Sequence, residues 1–142
     1  MFTEKEKQYI STQRLGRLAT VSKTGQPDVV PVGFEFDGKN IWIGSGTQEI
    51  FHVSKKFLNV NKGNSKVAFV IDDLVSVDPW KPRSLKIYGT AEVADHQGRF
   101  GPGKYLKITP KISWSFGIDQ ELPNYREPGS RPQEWRTKTI HS

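Results

Sequence analysis

The sequence predicts a mainly β fold, an antiparallel barrel with few helices. Short apolar runs rich in aromatic and β-branched residues are separated at short intervals by Gly, Asp and Pro turn chemistry, and only two segments carry helical spacing. At 142 residues a single core is expected, and 35% apolar residues, with eight Phe, four Tyr and four Trp, supply enough burial to oppose the entropy of the chain.

Thr3 followed by Glu6 has the capping-box spacing and predicts a short helix from about Thr3 to Thr12, with Tyr9 and Ile10 turned inward, plugging one end of the sheet. Strands are predicted over Leu15 to Val21, Asp28 to Phe36 and Asn40 to Ser45. The intervening Ser22-Lys23-Thr24-Gly25 and Asp37-Gly38 are turn sequences, and Asp-Gly between alternating apolar residues is a hairpin signal, so the three strands read as an antiparallel meander. From Thr47 to Lys62 the spacing of Ile50, Val53, Phe57 and Val60 predicts one amphipathic helix, with Thr47 as its N-cap and Gly63 at the C-terminal cap. A strand over Lys66 to Ile71 leads to a Pro-punctuated loop, Asp72 to Pro82, that carries Trp80. Strands then resume over Arg83 to Val93 and, after the Gly-rich turn Gly98 to Gly103, over Lys104 to Thr109 and Lys111 to Phe116. The domain is expected over residues 1–118. Residues 119–142, with Pro123, Pro128 and Pro132 among charges, read as an extended arm that Tyr125 and Trp135 anchor to the body or to a partner subunit.

Several classes are excluded by what the chain lacks. Without cysteine there is no disulfide framework and no cysteine-based zinc or iron–sulfur site, and His52, His96 and His141 are too scattered for a motif-spaced metal site, so no metal is expected. The N-terminus is charged and no stretch approaches the roughly 18 apolar residues of a membrane span, so the reading is a soluble, cytoplasmic protein with no membrane partner. No Gly-x-Ser-x-Gly elbow, dinucleotide fingerprint or Walker loop occurs, which disfavours covalent hydrolysis and the common nucleotide folds. The net charge of +6, from 21 Lys and Arg against 15 Asp and Glu, favours an anionic partner or, equally, a surface kept soluble by lysine.

The passage Ile43-Gly44-Ser45-Gly46-Thr47, followed by Ser54-Lys55-Lys56 and Asn59, combines free backbone amides, a hydroxyl and ammonium groups, the donors that a terminal phosphate asks for. The alternative is a lysine pair on the solvent face of a helix. Arg83 alternates with Leu85 and Ile87 on one strand face and needs an anionic partner, either a ligand or one of Asp72, Asp73 and Asp78. Trp80, between Pro79 and Pro82, is a cover for a flat ring or a loop anchor. His52 reads as structural.

Five strings in one order, Gln13-Arg14-Leu15-Gly16-Arg17-Leu18-Ala19-Thr20-Val21, Pro31-Val32-Gly33-Phe34, Ser54-Lys55-Lys56-Phe57 with Asn59-Val60, Val70-Ile71-Asp72-Asp73-Leu74, and Asp78-Pro79-Trp80, resemble the pyridoxamine 5'-phosphate oxidase-like class of deazaflavin-dependent enzymes, in the flavin/deazaflavin oxidoreductase superfamily. The resemblance runs from Met1 to about Asp119. It implies an FMN-binding split β-barrel of six or seven antiparallel strands, whose two subunits form a homodimer with two equivalent cofactor clefts across the interface. The cofactor would be FMN or the deazaflavin coenzyme F-420. Its ring would rest against the second strand near Pro31, Val32 and Gly33. Its phosphate would be held by Lys56 with Lys55 and Asn59, Ser45 would edge that pocket, and Trp80 and Arg83 would border the cleft, from the same subunit or the other. The implied reaction is hydride transfer to or from a small organic substrate, with orientation supplied by the protein and no catalytic residue assigned. Leu58 and Tyr88 stand where relatives often carry Arg or another basic residue, which weakens the case for the long acidic tail of F-420 and keeps FMN in competition. Two further readings remain: a flavin-binding protein without catalysis, and, less favoured, a basic barrel that stacks single-stranded nucleic acid on Trp42, Phe34 and Tyr88.

Overall fold

Thr3 starts the first helix as its spacing demands. In the computed structural model, which describes residues 1–122, 128–131 and 135–142, the Thr3 hydroxyl accepts from the Glu6 amide at 3.1 Å, and Glu6 Oε1 accepts from the Thr3 amide at 3.0 Å. The helix α1 (Glu4–Thr12) follows, with Tyr9 and Ile10 buried. The strands are β1 (Leu15–Val21), β2 (Pro27–Gly33), β3 (Glu35–Phe36), β4 (Ile41–Ile43), β5 (Lys66–Ser76), β6 (Lys81–Gly98), β7 (Gly101–Phe116) and β8 (Thr137–Ile140). They form one antiparallel sheet of eight strands, one or two more than expected, in the order β2-β1-β5-β6-β7-β4-β3 with β8 beside β7. The path closes through Phe34, which joins β2 to β3 at opposite ends of that order, so continuity of the chain stands in for a ladder and the barrel is split there.

This closure corrects the expected meander. The segment predicted as one strand, Asp28 to Phe36, leaves β1 at Phe34 and re-pairs with β4, which in turn pairs with β7. A path that wraps one core needs a strand that changes partner, and Phe34 pivots there with its ring buried. Two other boundaries move because strands are longer than local turn residues suggest. The expected loop from Asp72 to Pro82 is mostly ladder, with the turn confined to residues 77–80. The strands expected on either side of Pro110 are a single β7, because Pro110 sits at a bulge opposite Gly89, where no ladder amide is required. Gly89 is fixed by that bulge: a Cβ there would lie 2.3 Å from the Thr109 carbonyl oxygen.

The single amphipathic helix predicted over residues 47–62 is three pieces: α2 (Gln48–Val53), α3 (Lys55–Leu58) and a π-helical turn, Asn59–Gly63. Thr47 caps α2, accepting from the Ile50 amide. Ser54 then breaks the run with an extended backbone and caps α3, accepting from the Phe57 amide at 3.4 Å. The break rotates the faces. Phe51 enters the core, while Ile50 and Val53, expected inside, are 56% and 75% exposed. Gly63 is no left-handed cap. It is small because a Cβ would meet the Val21 carbonyl oxygen at 2.7 Å, where the π turn abuts the end of β1.

Leu18, Phe69, Ile71, Leu85, Ile87, Leu106 and Ile108 fill the barrel, with Ile41, Ile43 and Phe51 closing it. At the chain's end β8 lies along β7, Ile140 opposite Ile112. Pro123, Tyr125 and Pro132 fall outside the described residues.

Glu6 is the unusual member of this interior. It is fully buried, with Ser115 and Asp119 close to its carboxyl, and its Oε2 has no hydrogen-bond partner among the described residues. Burial pushes its carboxyl above the ordinary range, and Asp119 nearby adds to the effect. A carboxyl whose folded pKa is raised contributes stability below its unfolded value near 4.5 and loses that contribution as pH rises through the folded value. Glu6→Gln keeps the capping-box acceptor without the charge. We expect it to stabilise the protein at pH 7 by about 1 kcal/mol, with the gain vanishing as pH falls below 4.5; urea unfolding at both pH values measures it, and a loss of stability at pH 7 would contradict the assignment.

Candidate functional site

Residues directly opposite in an antiparallel ladder share a sheet face, so the registers define what the outside of the barrel presents. One row across six strands is Val29, Ala19, Ala68, Tyr88, Ile112 and Ile140, apolar throughout. The next is Pro31, Arg17, Val70, Lys86, Trp114 and Lys138. Tyr88 and Trp114 meet edge to face at 5.0 Å, and the Lys86 ammonium lies 4.8 Å from the Trp114 centroid and 5.3 Å from that of Tyr88. On this face opens a concavity of about 500 Å3, walled by Ala19, Val21, Pro27, Ala68, Tyr88 and Thr90, with Lys66 and Lys111 among its lining.

None of the residues assigned from the resemblance lines that concavity. Pro31 and Gly33 are exposed on β2, which pairs with β1 alone and so keeps one free backbone edge; Val32 between them points inward. Gly33 and Gly44 line one small hollow with Trp42 and Phe100, so the end of β2 and the stretch leading to Ser45 lie side by side. Lys55 is exposed. Lys56 is half-buried, burial holds its ammonium below the ordinary lysine range, and no acidic side chain among the described residues pairs with it. Asn59 turns the other way: it is buried, and its Nδ2 donates to Thr20 Oγ1 at 2.9 Å, locking the π turn to β1.

Arg83 has found a protein partner. Its Nε donates to Asp73 Oδ1 at 2.9 Å, its guanidinium lies 4.8 Å over the Tyr9 ring, and the Tyr9 hydroxyl donates to the same carboxylate at 3.0 Å. Asp73 is held below the usual carboxylate range chiefly by Arg83, and burial pushes the Tyr9 phenol up. Trp80 sits in the turn between β5 and β6. Arg83 lines a hollow with Val75, Lys81, Pro82 and Gly117 that holds no residue of the helical segment.

The outer-face residues escaped the sequence reading, although a signal existed. Lys66 to Ile71 is nearly continuous in apolar residues, the mark of a strand buried on both sides, and β1 likewise puts Ala19 and Val21 on its outer face. The nucleic-acid platform is not formed, since Phe34 and Trp42 are buried at 7% and 9% exposure and only Tyr88 is at the surface.

The sequence matches the pyridoxamine 5'-phosphate oxidase family over residues 2–138. It is 40% identical over 129 residues to the 5a,11a-dehydrotetracycline/5a,11a-dehydrooxytetracycline reductase of Streptomyces rimosus, covering 85% of this chain and 87% of that protein. Its fold is similar to HupZ of Group A Streptococcus, with a TM-score of 0.63 at 21% identity over 87% of this chain and all of the other. It is also similar to an FAD-binding protein of Mycobacterium smegmatis, with a TM-score of 0.59 at 16% identity over 79% and 92% of the two chains.

Asp73 ties α1 to the β5–β6 hairpin. A carboxylate with a lowered folded pKa contributes stability above its unfolded value near 3.8 and loses it as pH falls. Asp73→Asn should cost about 1–2 kcal/mol at pH 7, the pair being partly exposed, with the cost shrinking below pH 3.8. Denaturant titrations across that range check both the sign and the pH window.

Proposed function

Since the chain belongs to the pyridoxamine 5'-phosphate oxidase family, we propose that it is an oxidoreductase that holds FMN or coenzyme F-420 at the seam of a homodimer and transfers hydride to or from a small organic substrate. The Streptomyces rimosus reductase, named for two 5a,11a-dehydro compounds, supports reduction of an unsaturated organic substrate. When bound, either cofactor supplies a ring able to give or take a hydride.

The observation that carries this reading is Lys56. A half-buried ammonium that no carboxylate among the described residues meets is a cost to the fold unless an anion arrives, and a terminal phosphate would supply the charge-assisted bonds. Lys55 beside it and Ser45 after β4 add donors. The free edge of β2 at Pro31, Val32 and Gly33 offers backbone groups to a ring. Asn59, occupied with Thr20, would serve by holding the lysine-bearing turn in place.

The outer face supports the homodimer: Val29 and Ile140, 68% and 74% exposed at the two ends of an uncharged row, would meet a second copy on either side of the concavity. Such pairing is also the way for a Trp80–Arg83 end to border a helical-lysine end, from the other subunit. A flavin-binding protein without turnover is the second reading, favoured by a concavity lining that includes no His, Asp or Glu to act as acid or base.

The visible spectrum of the purified protein, followed by titration with FMN and with F-420, tests the reading. Replacing Lys55 and Lys56 together with Ala should loosen the cofactor by about 1–3 kcal/mol. Unchanged affinity for both cofactors would remove the phosphate assignment, and a coloured protein that cannot reduce a panel of conjugated enones from its reduced cofactor would support the carrier.

A further inference from the structure

The concavity on the outer face has a composition of its own. Its volume of about 500 Å3 lies in the range of small-molecule sites. The side chains of Ala19, Val21, Pro27 and Ala68 make its walls aliphatic, and Tyr88 gives it one aromatic surface, braced from behind by the perpendicular Trp114 ring. Lys66 stands at one side on β5, and Lys111 at the other, on β7 beside the bulge. Neither has a carboxylate partner among the described residues, and no acidic residue lines the space. A third cation, Lys86, lies over the Tyr88 ring.

Aliphatic walls with an aromatic surface select a flat apolar body, and unpaired lysines select negative charge. A localised carboxylate suits such a site poorly, because stripping its water costs more than apolar walls return. A charge delocalised over a fused-ring enolate or phenolate loses less hydration and still attracts both ammonium groups. We propose that this concavity seats the organic substrate, and that the substrate is a flat, fused-ring anion stacked on Tyr88 with its charge toward Lys66 and Lys111.

The proposal rests on the hydride-transfer reading above and deepens it. Pro27 lines the concavity, and Pro31 follows on the same face of β2, about 13 Å along the strand, so the substrate would have to extend from the concavity along β2 to meet a cofactor ring at its edge. In reduction of a conjugated double bond, hydride from the reduced cofactor forms one C–H bond as the π bond breaks, and the π electron pair moves to the carbonyl oxygen as an enolate. Solvent water gives the proton for the second C–H bond, and the cofactor is left oxidised. Lys66 and Lys111 would stabilise the oxygen on which that charge gathers.

The full-length protein is titrated with alizarin as its phenolate, a flat tricyclic anion with charge delocalised over the ring, and with neutral 2-(hydroxymethyl)anthraquinone, each with and without saturating FMN. The anion should bind about tenfold more tightly than the neutral compound, in the presence of FMN as well as in its absence. Replacing Lys66 and Lys111 together with Ala, both exposed positions, should abolish that preference, and Ala68→Trp, which fills the space, should block both probes. The proposal is overturned if neither probe binds, if the lysine replacements leave the preference intact, or if FMN displaces the anion, which would make the concavity a cofactor site. It is overturned equally if Ala68→Trp splits the dimer without weakening either probe, which would make the occupant a second copy. Failure of FMN to bind at all would instead strike the parent reading, and the titrations without FMN keep the two apart.

Discussion

The central strands β1, β5 and β6 are apolar on their inner face and carry one apolar row, Ala19, Ala68 and Tyr88, on an outer face that also holds Arg17, Lys66 and Lys86, and the rest of the molecule answers these two demands. Their inner residues, among them Leu18, Phe69, Ile71, Leu85 and Ile87, are at most 1% exposed and make the core. The outer row stays partly exposed among the described residues, with Tyr88 at 46% and only Lys86 over its ring. A fully wet face would carry no continuous apolar row. The inner demand is met within the chain by closing the path and sealing it with helices. The outer one calls for something further, and both the proposed dimer and the proposed substrate site are answers to it.

Closure required departures from regular structure. Phe34 ends one ladder and begins another, the bulge at Gly89 lets a proline sit in the longest strand pairing, and Ser54 breaks a helix that would otherwise aim Ile50 and Val53 inward. Each departure sits where a straight element would overshoot the core. Together they set the π turn against β1, where Asn59 and Thr20 fasten it, and that fastening fixes the stretch of chain carrying Lys55 and Lys56.

The charges divide along the same line. Arg83 is spent inside the fold, with Asp73 and Tyr9, and steadies the α1 contact. Lys56, Lys66 and Lys111 have no such carboxylate among the described residues, and they lie near the helical turn or on the outer face. Paired cations hold structure here, and the others are where an anionic ligand is proposed to bind.

The sequence by itself determined the features whose causes are local. The Thr3–Glu6 box, the Thr47 cap, the turns after β1 and β3 and the alternation within each strand depend on atoms a few residues apart, so their signals survive in the linear order. Five short strings in one order also carried the family, since they preserve a whole arrangement of turns and strands. Tertiary structure alone decided the partner change at Phe34, the union of Arg83 with Asp73 ten positions away, and the inward turn of Asn59 toward Thr20, 39 positions away. It alone assembled the outer rows, in which six strands each contribute one residue. Contacts of that kind depend on which strands lie side by side, and that is set by enclosing a single core, a property of the whole chain that no short stretch of it encodes.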